Sequence, residues 1–126
     1  DLFVPAHRTL PLGCLKGGPS PGNQFHGSAV YTLPTYMKFG ILISSASLGI
    51  AEGMLEDYLE FIVGHTALMS GAAMRDDPLQ HLKIAEARVC LTAARELARL
   101  TCNEMTAHVN AGTLPSDTER TRYRAH

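Results

Sequence analysis

One long apolar stretch carrying three glycines sets the tightest limit on how this chain can fold. Between Phe39 and Ala51 no side chain is charged, and Gly40, Gly49 and Gly53 fall within or beside the run. Pro34 gates its entry. The residues from Thr35 to Gly64 predict a single helix, with Thr35 as N-cap and Gly64 as C-cap. A glycine inside a helix costs about 1 kcal/mol relative to alanine, so three of them need a packing reason. Gly49 and Gly53 share a helix face, which would let a second helix backbone come close. The front of this helix is apolar nearly all round, and it reads as a helix to be enclosed by others.

The rest of the sequence supplies few helices to enclose it. Leu55, Leu59 and Ile62 form an apolar stripe at i, i+4 and i+7, opposite a polar strip of Glu52, Glu56, Asp57 and Glu60. Residues 66–76 are rich in small side chains and predict a loop. Asp77 as N-cap, followed by Pro78 at the first helical position, opens a second helix that should end near Gly112. Its stripe is Leu82, Ala85, Val89, Ala93, Leu97 and Leu100, close to a heptad seam, with Arg88, Arg95, Glu96 and Arg99 as a solvated face. Ser116-Asp117-Thr118-Glu119 has the form of a capping box. It opens a third helix that reaches His126 after barely two turns, as if the polypeptide continued. The two long helices would each span roughly 45–50 Å. Paired antiparallel, each can bury only one stripe, so the expectation is association between copies or membership of a larger bundle.

Ahead of the first helix, Pro5, Pro11, Pro19, Pro21 and Pro34 alternate with Gly13, Gly17, Gly18, Gly22 and Gly27, which excludes a long helix. Leu2-Phe3-Val4 reads as a short strand, Ala29-Val30-Tyr31 as a second extended piece, and the remainder as irregular loop. A loop of this length is uncommon inside a compact domain. Residues 1–34 are therefore expected to be an extended arm over the surface of something else, and residues 35–126 a helical domain.

A net charge of −1, from 11 basic and 12 acidic side chains, offers no attraction to nucleic acid or to an anionic membrane surface, since both usually leave a basic excess. The uncharged run is shorter than the roughly 20 residues a bilayer span needs, so no membrane is expected. The first residues lack the basic and apolar regions of a signal peptide. Cys14, Cys90 and Cys102 show no CxxC or Cys/His pairing. They read as reduced thiols packed as small hydrophobes in a cytoplasmic protein. Cys90 and Cys102 are about 18 Å apart along one helix and cannot bridge within it.

Few side chains are arranged for chemistry. His7, His26, His65, His81, His108 and His126 lack HxxxH or HExxH spacing, so no metal site is expected. Gly17-Gly18-Pro19-Ser20-Pro21-Gly22 has no Lys-Ser/Thr or helix start after it and reads as a flexible loop, not a phosphate cradle. Ser44, Ser45 and Ser47 have no base beside them and read as packing residues. Glu56 and Glu60 read as a wet face, not a buried carboxylate pair. Tyr36 and Phe39, on one helix face, read equally as core aromatics and as a pocket wall. His65 follows the end of the first helix, where the dipole favours a histidine.

Three stretches resemble one family. Asp1-Leu2-Phe3-Val4-Pro5-Ala6-His7-Arg8 is similar to the segment that leaves the middle β domain of acyl-CoA dehydrogenase-fold proteins. Tyr31-Thr32-Leu33-Pro34-Thr35, with Phe39-Gly40 and Leu48-Gly49-Ile50-Ala51-Glu52-Gly53, resembles the first C-terminal helix of that family. Residues 76–87 resemble the next one. The likeness is greatest to the flavin-dependent monooxygenase branch, the oxygenase components of two-component aromatic hydroxylases. It runs along essentially the whole sequence but covers only part of the family's length.

The resemblance implies an all-α fold, the long antiparallel helices of an acyl-CoA dehydrogenase-type C-terminal four-helix bundle, preceded by an extended N-terminal arm (1–34) coming from a β domain. Residues 35–126 would then be part of the bundle. It further implies a flavin oxidoreductase using FAD or FMN, a flavin reductase as partner of the full-length protein, and a homo-oligomer built through the long helices. In the family this domain walls one side of the flavin site, where reduced flavin and oxygen hydroxylate a phenol-like substrate. Tyr36 and Phe39 would then lie at the substrate and flavin end. The family usually has an arginine where His65 stands, meeting the flavin phosphate of a neighbouring subunit. An imidazole is a weaker phosphate ligand than a forked guanidinium. No catalytic residue is assigned, because the family's late catalytic histidine has no counterpart here. The expectation is that this chain alone binds no flavin and is inactive; the alternative is a non-catalytic helical module that only assembles.

Overall fold

The computed structural model describes residues 2–18, 20, 22 and 25–125. The expectations for Asp1, Pro19, Pro21 and His126 lie outside the described residues. Contacts divide the chain into two units, Asp1–Leu42 with Leu100–His126, and Ile43–Arg99. The described residues form three α-helices, α1 (Thr35–Gly64), α2 (Pro78–Ala111) and α3 (Asp117–Ala125), with 3-10 turns at Ala6–Arg8, Leu12–Lys16, Ala29–Thr32 and Met74–Asp76. All three helix bounds fall close to those predicted.

Among the described residues there is no strand, which corrects two expectations. Leu2-Phe3-Val4 takes no regular structure. Ala29–Thr32 closes a 3-10 turn in which the Thr32 hydroxyl donates to the Ala29 carbonyl at 2.6 Å. A strand needs a neighbouring edge for its amides, and no described segment offers one. The residues before α1 are accordingly punctuated by turns instead of extended throughout.

In the first unit this segment doubles back onto the start of α1. The Gly18 amide donates to the Thr32 carbonyl at 2.7 Å. Gly17 sits at φ 97°, and a Cβ there would fall 2.9 Å from the Thr32 carbonyl oxygen and 3.0 Å from the Pro34 ring. Only glycine permits that approach, so Gly17-Gly18 is a docked turn where the sequence predicts a flexible loop. Thr35 is the first helical residue, not the N-cap. The carbonyl of buried Pro34 accepts from the Met37 and Lys38 amides at 3.2 and 3.4 Å. Proline has no amide of its own to satisfy, so it fits this position. The core of the unit is Leu33, Met37 and Met105, with Ile41, Val109 and Tyr123 packed against it.

The same unit holds the end of α2 and all of α3. The Gly112 amide donates to the Val109 carbonyl at 3.2 Å and the Thr113 amide to the His108 carbonyl at 3.0 Å. With Gly112 at φ 63°, this is a Schellman motif. The predicted capping box forms: the Glu119 amide donates to Ser116 Oγ at 3.3 Å and the Ser116 amide to Glu119 Oε2 at 2.7 Å. Arg122–Glu104 (2.6 Å) and His108–Glu119 (3.4 Å) tie α3 to α2. The Ser116 hydrogen bonds, with His108 beside them, hold the Glu119 carboxyl below its usual range. Burial of Tyr123 pushes its phenol upward.

In the second unit Asp77 caps α2, its Oδ1 accepting from the Leu79 amide at 2.9 Å. Tyr58 donates to Gln80, and Arg95 pairs with Glu52, so α1 and α2 meet here running in opposite directions. The covered row of α1 includes Leu48, Ala51, Leu55, Tyr58 and Ile62; that of α2 is Gln80, Ile84, Ala87, Leu91 and Ala98. Steps of three, four and seven mark helices packed at a shallow crossing. The predicted stripe on α2 is corrected: Leu82, Ala85, Val89, Ala93 and Leu97 are exposed, as is Leu100 in the first unit. The cross-helix pairs give the reason: Gln80, bonded to Tyr58, and Arg95, paired with Glu52, lie on the same face of α2 as Ile84, Ala87, Leu91 and Ala98 and turn it toward α1.

Further expectations change with it. A Cβ added at Gly40, Gly49 or Gly53 meets nothing within 4 Å, so none of the described helices lies close over these positions. Cys90 and Cys102 are exposed instead of packed, because their sides of α2 are uncovered. Glu52 belongs to the seam, half-buried against Arg95, and only Glu56, Asp57 and Glu60 form the wet strip. By length and composition alone α1 is long and apolar enough to cross a membrane, whereas the uncharged run within it is not.

Gly112→Ala is expected to cost about 1–2 kcal/mol, the penalty for a Cβ in left-handed backbone, read as a lower urea midpoint at unchanged slope. Folding lowers the Glu119 pKa, so its stabilisation is fully present above the unfolded-state value. It is lost as pH falls through the folded-state value. Ser116→Ala should move the Glu119 titration, followed by NMR, back up toward the usual carboxylate range. An unmoved titration would contradict this account of the cap.

Candidate functional site

Tyr36 and Phe39 emerge from the first turns of α1. Met37 between them enters the core at 7% exposure, whereas Tyr36 is 62% and Phe39 60% exposed. Helical rotation of about 100° per residue turns the two rings away from the core that Met37 reaches. The core-aromatic reading is therefore overturned for this chain, and both rings are available to line something else. Lys38 folds back and donates to the Val30 carbonyl at 3.4 Å.

His65 directly follows α1. Its Nδ1 lies 2.6 Å from the Phe61 carbonyl oxygen, and its ring stacks on Phe61 with centroids 3.9 Å apart and planes at 19°. A carbonyl only accepts, so Nδ1 carries the proton, and His65 satisfies one of the carbonyls left over at the helix end. The helix-end role is thus realised through one ring nitrogen, and the side chain remains exposed. Two basic residues that follow His65 in sequence have partners of their own. Arg75 lies 3.7 Å from Asp76, and His81 Nε2 is 2.6 Å from the Arg75 carbonyl.

Tyr36 lies in the first unit, at the start of α1, and His65 in the second, just after its end. The donor set consists of two aromatic faces and one imidazole edge. It suits parts of a flavin site and not a complete one, so no catalytic step follows from these residues alone. Among the described residues no three His, Cys, Asp or Glu side chains gather to hold a metal.

Two openings have no counterpart in the sequence expectations. In the first unit an apolar groove of about 370 Å³ is walled by Val30, Leu33, Ile41, Leu42, Met105 and Val109, with Lys38, Cys102 and Thr106 also lining it. In the second, a pocket of about 410 Å³ lies under the α1–α2 connector among Phe61, Thr66, Leu68, Met74, Asp77 and Gln80. The groove draws on segments distant in sequence, residues 30–42 and 102–109, whereas the pocket is built from the local stretch 61–80. The only sequence signal for the groove is the four-residue spacing of Leu33, Met37 and Ile41, matched by Met105 and Val109.

Comparison with known proteins gives concordant matches. Residues 41–126 match the family profile described as acyl-CoA dehydrogenase, C-terminal domain. A pigment production hydroxylase of Rhodococcus erythropolis is 29% identical over 112 residues, 89% of this chain and 28% of the relative. The oxygenase subunit HsaA of a flavin-dependent monooxygenase from Rhodococcus jostii (strain RHA1) is 30% identical over 95 residues, 75% of this chain and 25% of the relative. The same subunit from Mycobacterium tuberculosis (strain ATCC 25618 / H37Rv) is also 30% identical over 95 residues, 75% of this chain and 24% of the relative. The chain thus spans about a quarter of the length of the curated relatives it matches. No solved structure gives a significant match.

Adjacent positions on α1 should respond oppositely to truncation. Met37→Ala is expected to cost about 2–5 kcal/mol, whereas Phe39→Ser should stay within about 0.5 kcal/mol, both by thermal or urea unfolding. A large loss at Phe39 would restore the core reading of that ring.

Proposed function

The chain belongs to the acyl-CoA dehydrogenase C-terminal domain family, and on that premise we propose that it is the leading part of the helical domain of a flavin-dependent monooxygenase. Its long helices hold copies together and supply walls of flavin sites that other polypeptide segments complete. Bound reduced flavin, FAD or FMN, would supply the oxygen activation needed to hydroxylate a phenol-like substrate. Tyr36 and Phe39 line the substrate and flavin end of one site. His65 serves the flavin phosphate of a site centred on another copy, through the ring nitrogen that does not cap α1. The relatives named as oxygenase subunits support a separate flavin reductase as partner of the full-length protein. The reading is of a cytoplasmic protein without nucleic-acid or membrane partners, in which α1 is apolar because neighbouring helices enclose it.

The observation that carries this proposal is the second apolar stripe on each long helix. Leu82, Val89 and Leu97 on α2, and Ile43, Ile50 and Met54 on α1, are all exposed although they repeat at helical spacing. A helix apolar on two sides is built to be covered on both. A second reading, a module that only assembles, is favoured by the sparse donor set, two exposed aromatic rings and one imidazole edge.

Light scattering with flavin titration followed by fluorescence separates the two. The expected result is an assembled chain that carries no stoichiometric flavin after purification and takes up none. Tight binding of reduced flavin would mean a complete site within these residues. Loss of that binding in Tyr36→Ala or His65→Ala would say which end holds it.

A further inference from the structure

The end of α2 and the start of α3 meet, within the first unit, at a corner that carries a titratable pair. His108 Nε2 lies 3.4 Å from Glu119 Oε1, with 20% and 35% of the two side chains exposed. Arg75–Asp76 and Arg99–Glu96, by contrast, are more than half exposed, and water screens them. Both partners at the corner are held in place. Glu119 Oε2 accepts from the Ser116 amide and hydroxyl, each at 2.7 Å, which leaves Oε1 for His108. On the other side, His108 Nδ1 lies 2.9 Å from the Thr113 hydroxyl.

This placement suits an ion pair more than a neutral hydrogen bond. At 3.4 Å the contact is longer than an ordinary N–H···O bond, so its strength rests on charge. His108 sits in the last turn of α2, where the helix dipole favours a cation, and Glu119 in the first turn of α3, where it favours an anion. An imidazolium donates from both ring nitrogens, to Glu119 and to the Thr113 hydroxyl. A neutral ring has one N–H, and keeping it toward Glu119 leaves Nδ1 to accept from Thr113.

Other charges at the corner are already matched. Glu104, one turn before His108, pairs with Arg122 at 2.6 Å, and Asp117 with Arg120 at 3.4 Å. Burial pushes the Tyr123 phenol upward, so it stays uncharged near neutral pH. Lys38 of α1 donates to the Val30 carbonyl. Among the described residues no ion pair reaches the corner from the segment before α1.

We propose that His108 and Glu119 form a proton-operated clasp that holds α3 against α2 and is tightest when both are charged. Its window has two edges. Below, Glu119 must be ionised, and its contribution is lost as pH falls through its folded-state value, which the Ser116 hydrogen bonds hold below the usual carboxylate range. Above, His108 must keep its proton, and an imidazole changes charge between about pH 5 and 8. Rising pH therefore loosens α3 while the cap of its own first turn stays formed. Tyr123 of α3 packs against Leu33, Met37 and Met105, so a looser α3 relaxes the core beneath the first turns of α1.

Amide hydrogen exchange on the full 126-residue chain, corrected for the intrinsic effect of pH, tests the clasp. Measured against residues 84–98 of α2, the amides of α3 should be protected about threefold or more at about pH 5.5 relative to about pH 8. His108→Gln, which keeps a side-chain amide but cannot titrate, should abolish the difference, and so should Glu119→Gln. In the unsubstituted chain, about 1 M salt should at least halve it. Equal protection at the two pH values overturns the proposal. So does a difference that survives His108→Gln, since another group then carries it. Where that variant does not fold, a difference indifferent to salt overturns it instead.

Discussion

The antiparallel contact of α1 with α2, one covered row against the other, is what the second unit depends on. Leu55 and Ile62 are the buried side chains there, and Gln80, Ile84, Ala87, Leu91 and Ala98 form the covered row of the facing helix. The ion pair of Glu52 with Arg95 and the hydrogen bond of Tyr58 with Gln80 fix the register of that contact. Because the pair is partly exposed, its contribution is to alignment more than to stability.

Helix termini were the most legible part of the fold. Asp77-Pro78, Gly112 and Ser116-x-x-Glu119 are local signals whose hydrogen bonds involve residues a few positions away, so sequence alone specifies them. The choice of buried face on α2 was not legible. Leu82, Val89 and Leu97 are the more hydrophobic row, and periodicity with bulk selects them. The structure covers the row of Gln80, Ile84, Ala87, Leu91 and Ala98, because pairing with Tyr58 and Glu52 of α1 turns that face inward, and such pairing is a property of two helices. The Pro34 cap and the Gly17 approach escaped for a related reason: each depends on a contact between segments separated by an intervening turn.

The candidate site was legible only as separate pieces. Tyr36 and Phe39 could be placed on α1 from sequence, but their exposure follows from Met37 taking the core position between them. His65 could be placed after α1, whereas its bond to the Phe61 carbonyl came from the coordinates.

The open apolar ridge on α2 has a consequence for the energetics of the chain. A lone copy has only its small cores to set against the conformational entropy of ordering 126 residues. Whatever covers Leu82, Val89 and Leu97 binds the folded form and not the unfolded one, so it contributes to folding by mass action. The stability of this polypeptide is then not a single number. Under the proposed assembly it rises with the concentration of whatever covers that ridge, and the newly made chain is most exposed to misassociation before the ridge is covered.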